Sequence, residues 1–300
     1  MMGVECKSLQ IIQTVRELES VLNRDFRMGK TVGFVPTMGF LHEGHLRLIE
    51  TAKEHDDIVV MSIFVNPAQF GPGEDFESYP RDLENDIMKA EKAGVDILFI
   101  PTAQEMYPSD SGIRILPGPQ ADVLCGSKRP GHFDGVLKVV LKLFNIVDPD
   151  RSYFGMKDAQ QLALIETFVR DFNLRTQIVR VSTVREEDGL ARSSRNVNLN
   201  ASERLEAPSI YRALLIGAEN FDAQKSPQDI EREVVELINS NTSGEIDYVT
   251  LLSYPSLTAI TKDSKEVILA CAVKFTNTRL IDNIIMSTKD GFHVPNDDEQ

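Results

Sequence analysis

Apolar residues in this chain follow two rhythms. Some form short runs: Val32-Gly33-Phe34-Val35, cut off at Pro36; Ile58 to Val65, nearly all apolar; and a run within Asp96 to Ile100. Runs of that length and density read as strands buried on both faces, as in a parallel sheet. Others recur every three to four positions. Ile11, Ile12, Val15, Leu18 and Leu22 predict a first helix over Ser8 to Arg27. Leu46, Ile49 and Ala52, with Arg47, Glu50 and Lys53 between them, predict a helix with one face on a sheet. A third helix is expected from Tyr79-Pro80-Arg81 to about Ala93, stopped by Gly94. Strand and helix alternate at βαβ spacing, which predicts an α/β fold with a doubly wound, Rossmann-like parallel sheet.

The alternation continues through a helix starting near Val136, a strand at Arg151 to Phe154, a helix through Leu162, Ile165 and Phe168, and a strand at Thr176 to Val181. Then the character changes. Helices near Ser202–Phe221 and Pro227–Ser240 precede three strand-like runs, Tyr248–Leu252, Val267–Phe275 and Arg279–Met286. The expectation is a first domain over residues 1–183 and a smaller α+β lid domain over 184–300 that packs over the cleft. A polar tail from about Ser287 should be disordered or loosely docked.

Composition narrows the class of protein. With 32 basic against 46 acidic residues, the net charge is −14. Such a chain repels nucleic acid and anionic membrane, and no apolar run approaches the roughly 18 residues of a membrane span. Met1 to Lys7 contain Glu5 and no apolar core, so they do not read as a signal peptide. Cys6, Cys125 and Cys271 are far apart and not in metal-type spacing. They read as reduced thiols of a cytoplasmic protein.

Chemistry concentrates where strands hand over to helices. His42 and His45 lie between the Val32–Val35 run and the helix after it. There the first helical N–H groups are unpaired, at the positive end of the dipole, and suit an anion such as phosphate. If the helix has begun by Glu43, the two imidazoles share a face and could grip one phosphate. Gly39 and Gly44 lack a Cβ and would let a ligand approach the backbone. The zinc-protease pattern His-Glu-x-x-His is one residue longer than His42-Glu43-Gly44-His45. Gly155-Met156-Lys157-Asp158 repeats the arrangement, with Lys157 as a point charge. Arg192-Ser193-Ser194-Arg195 offers hydroxyls and guanidinium groups to phosphate oxygens. The turn Asn66 to Gly71, beyond a strand's carboxyl end, should put Gln69 beside the histidine loop. Basic residues Lys128, Arg129, His132, Lys138 and Lys142 stand out against the acidic background and would attract anionic substrates.

Pro36-Thr37-Met38-Gly39-Phe40-Leu41-His42-Glu43-Gly44-His45 resembles the His-x-Gly-His signature of the nucleotidyltransferase superfamily. In this longer form it resembles that of the pantoate–β-alanine ligase (pantothenate synthetase) family. Arg129 to Val136, Gly155 to Asp158 and Ser193 to Asn196 resemble three further motifs in family order, so the resemblance spans roughly 31–198. It implies an ATP-dependent ligase that joins pantoate to β-alanine through pantoyl adenylate, releasing AMP and pyrophosphate. Mg2+ would accompany ATP, and the protein would be a homodimer through its N-terminal domain. ATP would lie on Met38, Gly39, Phe40, Leu41, His42, Glu43, Gly44 and His45, on Gly155, Met156, Lys157 and Asp158, and on Val184, Arg192, Ser193, Ser194 and Arg195. His42, His45 and Lys157 would carry the catalysis. Asn66, Gln69, Arg129, His132 and Gln161 would hold pantoate and β-alanine, and Asp86 would help hold the magnesium. Arg192 departs from the family, where an apolar residue precedes the paired serines. Another adenylyltransferase of the superfamily, or a nucleotide-binding sensor without chemistry, would share the first loop.

Overall fold

Ile11 and Ile12 belong to a strand, not to the first helix. In the computed structural model, which describes residues 8–288 except 27, 75, 110–111 and 223–224, β1 spans Gln10–Ile12 and α1 only Val15–Phe26. The Thr14 side chain accepts from Glu17 N at 3.3 Å and starts the helix there. Met1 to Lys7 with Cys6, and the polar tail beyond 288, lie outside the described residues.

The chain divides into two units. The first takes the described residues up to Leu116, with Gly131–Gly155 and Phe168–Val181. It holds a parallel sheet built from β1, β2 (Val32–Thr37), β3 (Ile58–Ile63), β4 (Ile97–Phe99), β5 (Arg151–Gly155) and β6 (Gln177–Val181). Their order is β1-β4-β3-β2-β5-β6. All six residues of β3 are buried, which explains a run that is apolar but for Ser62. The connections are α2 (Glu43–His55), α3 (Leu83–Lys92), the short α4 (Ala103–Met106), α5 (His132–Val147) and α6 (Ala159–Asp171). Leu48, Ile49 and Ala52 of α2 enter the core with Val35, Val59, Met61 and Leu98. From β2 the chain moves outward through β3 and β4, then returns to the other side of β2 as β5. The order therefore reverses between β2 and β5, the switch point where open α/β sheets bind ligands beyond the strands' carboxyl ends.

The second unit comprises Pro117–Pro130, Met156–Thr167 and the described residues from Ser182 on. Its helices are α7 (Ala201–Glu206), α8 (Pro208–Asp222) and α9 (Pro227–Asn241), and its antiparallel sheet runs β7 (Glu245–Tyr254), β8 (Glu266–Lys274), β9 (Arg279–Ser287). Val267, Leu269, Cys271 and Val273 share a core with Leu214, Ala218, Ile230, Val234 and Ile238 of α8 and α9. The alternate residues Ile268 and Ala270 join Leu124, Ala159, Ala163, Tyr254 and Leu257. Both faces of β8 are thus covered, so its apolar run shows no alternation. Cys125 and Cys271 are free thiols, and burial pushes the Cys271 thiol up.

Candidate active site

The histidine loop leaves β2 at the switch point. Thr37 Oγ1 donates to Ser62 O at 2.7 Å and accepts from Gly39 N at 3.2 Å, which anchors the strand end. Gly39 (φ +83°) and Phe40 (φ +53°) are both left-handed. For Phe40 that costs roughly 1–2 kcal/mol. The offset comes from Asp86 on α3, whose Oδ2 and Oδ1 accept from Phe40 N and Leu41 N, both at 2.7 Å. Such charge-assisted bonds are worth about 1.5–3 kcal/mol each, so the strained turn holds.

His42 then caps α2. Its Nδ1 accepts from Gly44 N at 3.1 Å, and His45 Nδ1 accepts from His42 N at 3.2 Å. A backbone N–H can only donate, so neither Nδ1 carries a proton and each neutral ring holds its proton on Nε2. The two half-buried rings lie 4.1 Å apart, centroid to centroid. The result is a pair of matched Nε2–H donors at a helix N-terminus, suited to one tetrahedral anion. Gly44 is needed for a reason the sequence did not show: a Cβ there would meet His42 Cε1 at 2.9 Å. Met38 and Phe40 are half-buried, Leu41 is buried and Glu43 is exposed.

The acid-binding candidates in the first unit form a second cluster. A 3-10 turn, Pro67–Gln69, packs on the first turns of α5. The approach is so close that a Cβ on Gly135 would sit 2.1 Å from Ala68 O. Asn66 Nδ2 donates to Gln69 Oε1 and to Gly135 O, both at 3.1 Å. Its Oδ1 accepts from Ala68 N at 3.2 Å and Tyr107 Oη at 2.9 Å. All four of its bonding positions serve the protein itself. Gln69, 8% exposed, donates from Nε2 to Met38 Sδ at 3.2 Å, which links the turn to the histidine loop. His132 Nδ1 lies 2.8 Å from the Gln69 carbonyl and must donate to it, whereas Nδ1 of His42 and of His45 accepts. Burial pushes the Tyr107 phenol up to about 12, and Lys138 and Lys142 lie 5.6 and 5.7 Å from its ring centroid.

Lys128 belongs to the second unit and pairs with Asp247 at 3.8 Å, so the basic segment is divided. Arg129, half-buried, follows Lys128 in that unit. There Met156, Lys157 and Asp158 form a 3-10 turn into α6, while Gly155 ends β5. Asn283 Nδ2 donates to Met156 O at 3.1 Å and Lys157 O at 2.9 Å, fixing that turn from β9. Gln161 is half-buried on α6. Its neighbour Gln160 accepts from Gly126 N and donates to Gln120 O and Val123 O. The paired serines follow a tight reversal in which Glu186 N donates to Leu190 O and Arg192 N to Val184 O, at 2.8 and 2.9 Å. Ser193 Oγ accepts from Arg195 N at 3.3 Å as the next turn begins at Ser194. Arg192, the departure from the family pattern, lies 3.6 Å from Glu186, which Arg204 also binds at 2.6 Å. Arg185 braces the base of the reversal, bidentate on Asp282 at 2.7 and 2.9 Å and 3.4 Å over the Tyr211 ring. Burial opposes its charge, but Asp282 wins and raises its pKa.

Asn283, Asp282 and Tyr107 were missed by sequence reasoning. Asp282 and Asn283 did leave a signal, two adjacent polar residues inside the apolar run Arg279–Met286. For Tyr107 we find none. The magnesium role implied for Asp86 does not fit its surroundings: the side chain is 2% exposed and both oxygens accept backbone N–H groups. Among the described residues, no three metal-ligating side chains converge.

A parallel doubly wound sheet that presents a histidine-capped helix at its switch point has the geometry of a phosphate-binding α/β domain. A family model described as pantoate-beta-alanine ligase matches residues 10–285. The chain belongs to that family. It is 53% identical over 283 residues to a pantothenate synthetase of Lysinibacillus sphaericus, covering 94% of this chain and 100% of the relative. A crystal structure of pantothenate synthetase from Thermus thermophilus superposes with a TM-score of 0.86 at 44% identity, covering 92% of this chain and 98% of that one. The pantoate-beta-alanine ligase of Francisella tularensis, crystallised with beta-gamma ATP and beta-alanine, gives a TM-score of 0.77 at 36% identity, over 93% and 98%.

Proposed function

We propose that this chain condenses pantoate with β-alanine at the expense of ATP, and that His42 and His45 grip the phosphates. The observation that carries the reading is the matched tautomer of the two rings, both set by backbone N–H donors. The pantoate carboxylate attacks the α-phosphorus, pyrophosphate leaves, and the amine of β-alanine displaces AMP from pantoyl adenylate. No protein side chain needs to form a bond to the substrate. Two Nε2–H groups oriented before ATP arrives can meet the charge that grows on the phosphate oxygens without reorganising. Lys157 and Ser193-Ser194-Arg195 are assigned to the triphosphate by their match to the family motifs. Gln69, His132, Arg129 and Gln161 are assigned to the acid and the amine in the same way, with Asn66 as the residue that shapes their turn. Magnesium enters with ATP, as part of that substrate. A cytoplasmic homodimer joined through the first unit completes the proposal, and sedimentation of the full chain tests the dimer.

The kinetic test is His42→Ala and His45→Ala. Each should lower kcat by about 10²–10³, the effect of losing one charge-stabilising donor, while the lost cap of α2 costs about 0.5–2 kcal/mol of stability and leaves the protein folded. Either variant turning over at the wild-type rate would remove the phosphate role.

A further inference from the structure

The buried carboxylate of Asp86 is unused by the chemistry just described, and its neighbourhood shows what it does. Asp86 and Lys89 lie one turn apart on α3, on the side facing the histidine loop. Asp86 accepts from Phe40 N and Leu41 N, and Lys89 Nζ donates to Leu41 O at 2.5 Å. Gly39 lies so close that an added Cβ would meet Asp86 Oδ2 at 2.9 Å. Three consecutive peptide units are thus gripped by one helix, through both N–H and C=O groups. They are the units leading into His42, and Phe40 among them is held in a left-handed conformation that an L-residue leaves when nothing restrains it.

We propose that Asp86 and Lys89 form a positioning clamp that sets the heading of His42 and, through His42 N, the tautomer of His45, and that Asp86 acts through this loop rather than on magnesium. The linkage is continuous. The clamp fixes the units of Phe40 and Leu41, these fix where His42 N points, and His42 N donates to His45 Nδ1 and keeps the proton on Nε2. Release of Phe40 to negative φ swings the His42 N–H away, so His45 loses the donor that selects its tautomer. An imidazole with a mixed tautomer offers its phosphate-facing N–H only part of the time. Misplacement of a positioning group by about 1 Å is enough to cost about 10²-fold in rate. The proposal rests on the phosphate reading of the histidines for its kinetic consequence, though not for its structural one.

The test uses the full chain with Asp86→Ala, Asp86→Asn, Lys89→Met and Lys89→Arg. Long-range proton–nitrogen correlation spectra of histidine-labelled protein report the tautomers directly. Wild type should show His42 and His45 with the proton on Nε2, and Asp86→Ala and Lys89→Met should show a mixture at His45. In pantoate-dependent pyrophosphate exchange at saturating ATP, Asp86→Ala should lose about 10²-fold in kcat. Lys89→Met, which removes one hydrogen bond, should lose about tenfold. Asp86→Asn, which keeps one acceptor oxygen, should fall between them, and Lys89→Arg should restore most of the rate. The magnesium concentration for half-maximal rate should stay where it is in every variant. An unchanged His45 tautomer in Asp86→Ala, or a rate recovered by raising magnesium, would overturn the clamp. Should Asp86→Ala not fold, Lys89→Met decides, because it removes only one half-buried donor to one carbonyl. A wild type without exchange activity would end the functional reading and leave the tautomer spectra to judge the clamp.

Discussion

Replacing Gly135 by alanine should harm the protein at a position where helix propensity says it should help. In an ordinary helix interior, glycine to alanine stabilises by about 1 kcal/mol. On α5, however, the new Cβ would lie 2.1 Å from Ala68 O, 2.4 Å from Ala68 C and 2.6 Å from Gln69 Cα. These are backbone atoms, so no rotamer change relieves the clash. To open from 2.1 Å to the 3.4 Å of ordinary contact, the turn at Pro67–Gln69 must retreat by about 1.3 Å. That movement stretches Asn66 Nδ2 to Gly135 O and His132 Nδ1 to the Gln69 carbonyl, the two bonds that tie turn to helix. Overpacking of this kind costs about 1–3 kcal/mol, which outweighs the propensity gain. Since a 1 Å displacement of a binding group can cost 10²-fold, kcat/KM for pantoate should fall by about ten- to a hundredfold. The dissociation constant for ATP should change less than about threefold. Steady-state kinetics with varied pantoate, ATP titration and a thermal melt provide the three readings. A more stable Ala variant with full pantoate efficiency would refute the close-packing argument.

Two other consequences concern stability. The Tyr107 phenol is raised to about 12 by burial, above its value of about 10 in the unfolded chain. A group with a raised folded pKa contributes stability that is complete below about pH 10 and lost as pH climbs toward about 12; Tyr107→Phe should therefore flatten the alkaline decline in the urea midpoint, and an unchanged decline would remove Tyr107 as its source. Arg185→Lys keeps the charge and loses both the fork on Asp282 and the stack on Tyr211. It should destabilise by about 1–3 kcal/mol in chemical unfolding, and a change below about 0.5 kcal/mol would show the brace to be dispensable.

The sequence made the parallel sheet legible because its inner strands are buried on both faces, and nearly apolar runs such as Ile58 to Val65 are too short for a core helix and end in turn residues. β1 was hidden for the opposite reason. Three residues at a sheet edge have no period of their own, and Ile11 and Ile12 fit the spacing of the helix that follows. The histidine loop was legible as chemistry, and the matched tautomers of its rings were not, since they depend on backbone geometry within the loop. Asp86 was read from the family resemblance as a residue that helps hold magnesium. Its partners lie 45 and 46 positions earlier in the chain, and nothing local marks a carboxylate that turns inward. Asn283 and the Lys157 turn are separated by 126 positions and meet only because β9 runs past that turn. The small sheet was legible as three runs near their observed bounds. That Pro117–Pro130 and Met156–Thr167 belong with it was not, because a chain that passes repeatedly between two units carries no compositional mark at each passage.

On the mechanism proposed, this chain adenylates pantoate before any amine takes part. Exchange of labelled pyrophosphate into ATP measures that step alone. Exchange should require pantoate, proceed without β-alanine, and fall about 10²–10³-fold in His45→Ala. Exchange without pantoate, or only when β-alanine is present, would contradict that mechanism.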